Sequence, residues 1–138
     1  MTRTNREPGD WSMPLTRISL KAGTSLAYRQ AITEGVYQAM RETFNVPEDD
    51  RFMLVTEHGD GDMDFGRSYL GIDRSDGLVI IQITANNTRT VEQKRALFKR
   101  IAERLEKNPG IRPEDIFINL MEVAKENWSF GNGITQYA

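Results

Sequence analysis

"VPEDDRFMLVTE", residues 46–57, runs from a proline-led acidic turn into an apolar, β-branched strand, and "IRPEDIFINLMEV", residues 111–123, repeats that order late in the chain. The two "PED" triplets, at 47–49 and 113–115, mark the same place in two halves. Upstream of the first lies "SLAYRQAITEGVYQAMRETF" (25–44), in which Tyr28, Ile32, Val36, Met40 and Phe44 recur every four residues. That period predicts a helix with one buried stripe, and Thr24 or Ser25 can cap its start. "PLTRISL" (14–20) before it reads as a strand. Upstream of the second triplet the same pieces return. "LVIIQIT" (78–84) is a strand, apolar without a break and so expected to be covered on both faces. "TVEQKRALFKRIAERLEK" (90–107) is a helix opened by a Thr90-x-x-Gln93 capping box, with Leu97, Ile101 and Leu105 on its buried face.

The chain therefore holds two β-α-β units, 14–57 and 78–123, and its predicted class is α/β (α+β): a four-stranded mixed sheet with two helices on one face. Strands joined by a helical crossover are parallel within each unit. Two helices cover one sheet face only, so the other is expected to be covered by further subunits. Residues 1–12 are polar, broken by Pro8 and Gly9, and read as a flexible extension; 13–138 make a single domain that closes with an arm at 124–138. The Gly- and Asp-rich segment 58–77 reads as a loop with a possible short hairpin. Asp60, Asp62 and Asp64 resemble the opening of a calcium loop, but Phe65 and Gly71 stand where its turn glycine and bidentate glutamate belong, which makes the segment a solvated loop.

With 138 residues, 38% hydrophobic and 28% charged, the composition is that of one soluble domain with a real core. The chain lacks cysteine and has one histidine, His58, which excludes disulfides, thiolate metal sites and histidine clusters. No metal or cofactor is expected. The net charge is −2 and the 18 basic residues are scattered, which weighs against nucleic acid or an anionic membrane as partner. No run approaches the roughly 20 apolar residues of a membrane span, and no signal peptide is recognisable, so the expected location is cytoplasmic.

Few side chains are left to do chemistry. Pro14 admits two readings: a residue beginning an edge strand, where its missing N–H costs nothing, or an N-terminal secondary amine. Cationic neighbours and apolar surface would lower such an amine's pKa, fitting it to shuttle a proton or attack a carbonyl. Arg89, beside the start of the second helix, is either solvated or placed to grip a carboxylate bidentately. Asn86 and Asn87 leave the strand end where α/β ligands gather, or simply form the turn. Asp50 belongs to an acidic turn, and its interest depends on whether the fold brings it near Pro14. Trp128, Phe130 and Tyr137, in the tail "NWSFGNGITQYA" (127–138), either wall a pocket or anchor the arm.

Met-Pro-Leu opening a strand, "VPEDDRF…TEH" (46–58), "VIIQIT…RTVEQK" (79–94) and "NWSFGNG" (127–133) together make the chain resemble the tautomerase superfamily, above all its two-unit, malonate semialdehyde decarboxylase-like members. The resemblance runs from Met13 to Tyr137. It implies β-α-β units around an amino-terminal proline, and a homotrimer. Pro14 matches the catalytic proline and Asp50 the aspartate placed near it. Arg89 matches one of two carboxylate-binding arginines, and the second falls on Asn86 or Asn87. Trp128 and Phe130 match the apolar pocket wall, with Tyr137 at a further aromatic position. Thr24 stands where small tautomerases carry an arginine. As numbered, Pro14 follows Met13 and its nitrogen is an amide; the resemblance implies a start at Met13 or removal of the extension.

These residues predict an enzyme that moves a proton on a small 2-keto or enol carboxylic acid. Pro14 would be acid and base, Arg89 the carboxylate grip, and Asn86 or Asn87 the donor to the enolate oxygen, with Asp50 assisting. Decarboxylation of a β-keto acid or hydration of an unsaturated acid at the same site is the alternative. A non-catalytic oligomeric binding protein, with Pro14 blocked by the extension, is the second.

Overall fold

Residues 14–137 are described by the computed structural model; 1–13, which include the expected extension, and 138 lie outside the described residues. Strand β1 (Leu15–Lys21) buries Thr16, Ile18 and Leu20 on one side and exposes Arg17 and Lys21. Helix α1 (Leu26–Phe44) starts at Ser25, whose hydroxyl accepts the Tyr28 N–H at 3.1 Å. It buries Ile32, Val36, Met40 and Phe44 and stops at Asn45, which takes the left-handed conformation at φ 55°. Strand β2 (Phe52–His58) follows the acidic turn. Strand β3 (Val79–Asn86), helix α2 (Val91–Lys107) and strand β4 (Ile116–Val123) repeat the order. Both halves of the capping box at Thr90 and Gln93 are made, and Leu97, Ile101 and Leu105 are buried.

The sheet order is β2-β1-β3-β4. β1 runs parallel to β2 and β3 parallel to β4, while β1 and β3 meet antiparallel at the centre. Both helices pack on one face over Ile18, Leu20, Val79, Ile81 and Ile83. They approach closely at Gly35, where an added Cβ would stand 2.8 Å from the Leu105 Cδ2 methyl.

Two local expectations are revised. The run 78–84 is covered on one face only within a single chain: Gln82 is exposed, as are Phe52, Leu54, Phe117 and Met121 on the same open face. The apolar run reflects a face left for something else to cover. The loop also forms no hairpin. It makes a 3-10 turn at Tyr69–Gly71, with Leu70 at φ 61°. Arg74 holds that shape by donating to the carbonyls of Gly66, Tyr69 and Ile72 at 3.2, 3.0 and 3.3 Å. The Ser75 amide and hydroxyl then donate to the buried Asp115 carboxylate at 2.7 and 2.5 Å, tying the loop to the start of β4.

Candidate active site

The register decides what surrounds Pro14. Leu15 lies opposite Phe52 on one side and Thr84 on the other, so residue 14 sits at the mouth of the central strand, beside Arg51 and the Ala85–Asn86 strand end. Pro14 is buried. Lacking an N–H, it makes no demand on either ladder. Together with Leu15, Phe52, Trp128, Ser129 and Phe130 it lines a pocket of about 220 Å³. Trp128 and Phe130 stack with centroids 5.3 Å apart, and Tyr137 meets Phe130 edge-on at 5.1 Å. The tail is thus a folded aromatic wall beside Pro14.

The remaining expected residues are not among those that line this pocket. Asp50, two residues before β2, is 5% exposed, so its carboxyl is not a solvated turn residue. The turn that carries it is pinned from α1: the Tyr37 hydroxyl donates to the Glu48 carbonyl, and Arg51 reaches Glu34 at 2.7 Å while lying 4.5 Å over the Tyr37 ring. Arg89 donates to the Thr88 hydroxyl at 2.6 Å and to the Phe44 carbonyl at 2.7 Å, with its guanidinium 4.8 Å over the Phe44 ring. A cation at the last carbonyls of α1 complements the helix dipole. Asn87 is exposed, its N–H bound to the Val123 carbonyl at 3.1 Å. Asn86 is fully buried, and its Oδ1 accepts the Trp128 indole N–H at 2.7 Å.

Phe52 and Leu15 are pocket residues that sequence reasoning missed. The available signal was the parallel pairing of β1 with β2, which sets the first residues of both strands side by side. A second, more polar hollow of about 150 Å³ lies at the far end of β1, near Lys21, Asp60, Arg67 and Asp76. Its charges satisfy one another, with Arg67 2.6 Å and Lys21 3.8 Å from Asp76.

The chain matches the family model described as tautomerase enzyme over residues 50–131, and a second model of the same description over 14–72, beginning at the buried proline. It is 40% identical to the probable tautomerase YusQ of Bacillus subtilis (strain 168) over 124 residues, which cover 90% of this chain and 98% of that relative. The probable tautomerase YrdN of the same strain is 32% identical over 125 residues, covering 91% and 96%. Among solved structures, malonate semialdehyde decarboxylase superposes with a TM-score of 0.83 at 31% identity, covering 89% of this chain and 95% of that one. FG41 malonate semialdehyde decarboxylase inhibited by 3-bromopropiolate gives 0.83 at 37%, covering 89% and 93%. This chain belongs to the tautomerase family.

Proposed function

We propose that the chain, once Pro14 is its amino terminus, is a proline-dependent tautomerase acting on a small 2-keto or enol carboxylic acid. The observation that carries the reading is Pro14 itself: buried, at the start of the central strand, and facing an aromatic wall. In the enol-to-keto direction the secondary amine takes the hydroxyl proton of the enol, and the resulting prolinium returns a proton to the neighbouring carbon. The low-polarity wall favours the neutral amine over the prolinium, which keeps it a competent base near neutral pH. Arg89 holds the substrate carboxylate and Asn87 donates to the enolate oxygen, a contribution on the order of 3 kcal/mol for a well-aimed donor. Buried Asp50 assists proton traffic. The open sheet face supports a homotrimer in which subunits cover one another's exposed apolar residues.

A second reading uses the same pocket for decarboxylation or hydration. The two malonate semialdehyde decarboxylase structures at 31% and 37% identity favour it. There the prolinium polarises a β-carbonyl or Asp50 activates water.

The test compares ketonisation of phenylenolpyruvate by the 138-residue chain and by a form beginning at Pro14. The expected result is activity in the short form alone, abolished by Pro14→Ala. Equal activity in both forms removes the amine from the mechanism. If neither form turns over the enol but the short form releases carbon dioxide from malonate semialdehyde, the second reading replaces the first. Ligand binding without turnover of either substrate makes the protein a binding protein.

A further inference from the structure

Asn86 ends β3 on the side of Gln82 and Thr84, the open face of the sheet, yet it is 0% exposed. The C-terminal arm crosses back to it. After the 3-10 turn Lys125–Asn127, Trp128 donates its indole N–H to Asn86 Oδ1 at 2.7 Å, a contact between residues 42 apart in sequence. An indole has one donor and no acceptor, so this bond commits the whole polar capacity of the Trp128 side chain and sets the rotation of its ring. Phe130 takes its angle from Trp128 by stacking at 24°, and Tyr137 closes on Phe130 at 73°. Gln136 pins the arm's backbone, accepting from the Phe130 N–H at 2.9 Å and donating to the Gly131 carbonyl at 3.0 Å. Among these contacts, the Asn86 bond is the one that ties the aromatic wall to the sheet.

We infer that Asn86 is a positioning residue: through Trp128 it sets the aromatic wall beside Pro14, and so governs which substrates fit, with no contact to the substrate itself. The inference rests on the proposed function for its kinetic consequence but not for its structural one. It reassigns Asn86 away from donation to the enolate oxygen, because Asn86 is 0% exposed with its Oδ1 held by the Trp128 indole, whereas Asn87 beside it is exposed.

The test has a spectroscopic and a kinetic arm. The chain has two tryptophans, Trp11 and Trp128, so in the full chain carrying Trp11→Phe the emission reports on Trp128 alone. Asn86→Leu is expected to red-shift that emission and to increase acrylamide quenching, whereas Asn86→Asp, which keeps an acceptor oxygen, restores both. In the form beginning at Pro14, which retains every described strand and helix, Asn86→Leu raises KM about fivefold, the scale of one lost hydrogen bond, and leaves kcat within about twofold. Trp128→Phe approaches the same bond from its other partner. It raises KM at least as much, since Trp128 also lines the pocket, and the double variant adds nothing to the effect of Trp128→Phe. Unchanged emission and quenching in Asn86→Leu overturn the inference. So does a fall in kcat at constant KM, which would make Asn86 a direct donor, or full additivity of the two substitutions. Absence of turnover in every form sinks the proposed function, and the emission arm still decides whether Asn86 holds the wall.

Discussion

Gly35 is where the helical layer tolerates least. The Leu105 methyl stands 2.8 Å from the place a Cβ would take, and Leu105 is fully buried, so it has little room to retreat. A glycine inside a helix ordinarily costs about 1 kcal/mol relative to alanine. Here that cost is exchanged for a close helix contact. Gly35→Val is expected to destabilise the fold by about 2 kcal/mol, since overpacking of a rigid core and a β-branched side chain in a helix act in the same direction. Urea unfolding checks it, and a midpoint at or above that of the unmodified chain refutes the close contact. Asp50 is constrained in another way. Its turn is held by Tyr37 and, through the neighbouring Arg51, by Glu34, so its burial depends on two α1 side chains distant in sequence.

At the scale of elements, α1 and α2 are also joined at their polar edge. Glu42 of α1 accepts from Arg100 Nε at 2.7 Å and Arg104 Nε at 2.6 Å of α2. Burial alone would raise the Glu42 carboxyl, but the two guanidinium hydrogen bonds outweigh it and hold the group below its ordinary value of 4.5. A carboxyl lowered in the folded state contributes stability above that ordinary value and loses it as pH falls through the folded value. The side chain is 38% exposed, so solvent screens the pair. Glu42→Gln should therefore cost about 0.5 kcal/mol at neutral pH, with the gap to the unmodified chain closing in strong acid. Chemical denaturation at both ends of that range measures it; a gap independent of pH would contradict the assignment. The elements themselves were legible because their signals are local: four-residue apolar spacing in 28–44, the capping box at Thr90, and the doubled "PED" turn. The 3-10 turn at Tyr69–Gly71 was not, because Arg74 imposes it by gathering three carbonyls. Pro14, Trp128 and Phe130 were legible as motif residues. Phe52 and the Asn86–Trp128 bond were not, since both depend on register and on an arm that returns across 42 residues.

For the whole molecule, the open sheet face is the dominant feature. Leu54 is 51% exposed, and Phe117 and Met121 are exposed by 47% and 56% on the same face. A face of this kind in water favours self-association. Leu54→Asp places a charge there and is expected to convert the proposed homotrimer to monomers while keeping the helical signal, with sedimentation velocity and circular dichroism as the readouts. An unchanged sedimentation coefficient would move the subunit contact elsewhere. The antiparallel meeting of β1 and β3 has a separate consequence, set by covalent connectivity. The pairings of Leu15 with Phe52 and of Val79 with Ile116 make Leu78 the counterpart of Pro14 in the second unit. The nitrogen of Leu78 lies within a continuous chain, its lone pair spread into the amide and its hydrogen given to the Ser75 carbonyl at 3.2 Å. Two units joined head to tail own a single terminal nitrogen, so the second unit is barred from amine chemistry by its peptide bond, whichever side chain stands at its first position. That half can serve the site only through its side chains, and at its own "PED" turn Asp115 is taken up in fastening the loop through Ser75.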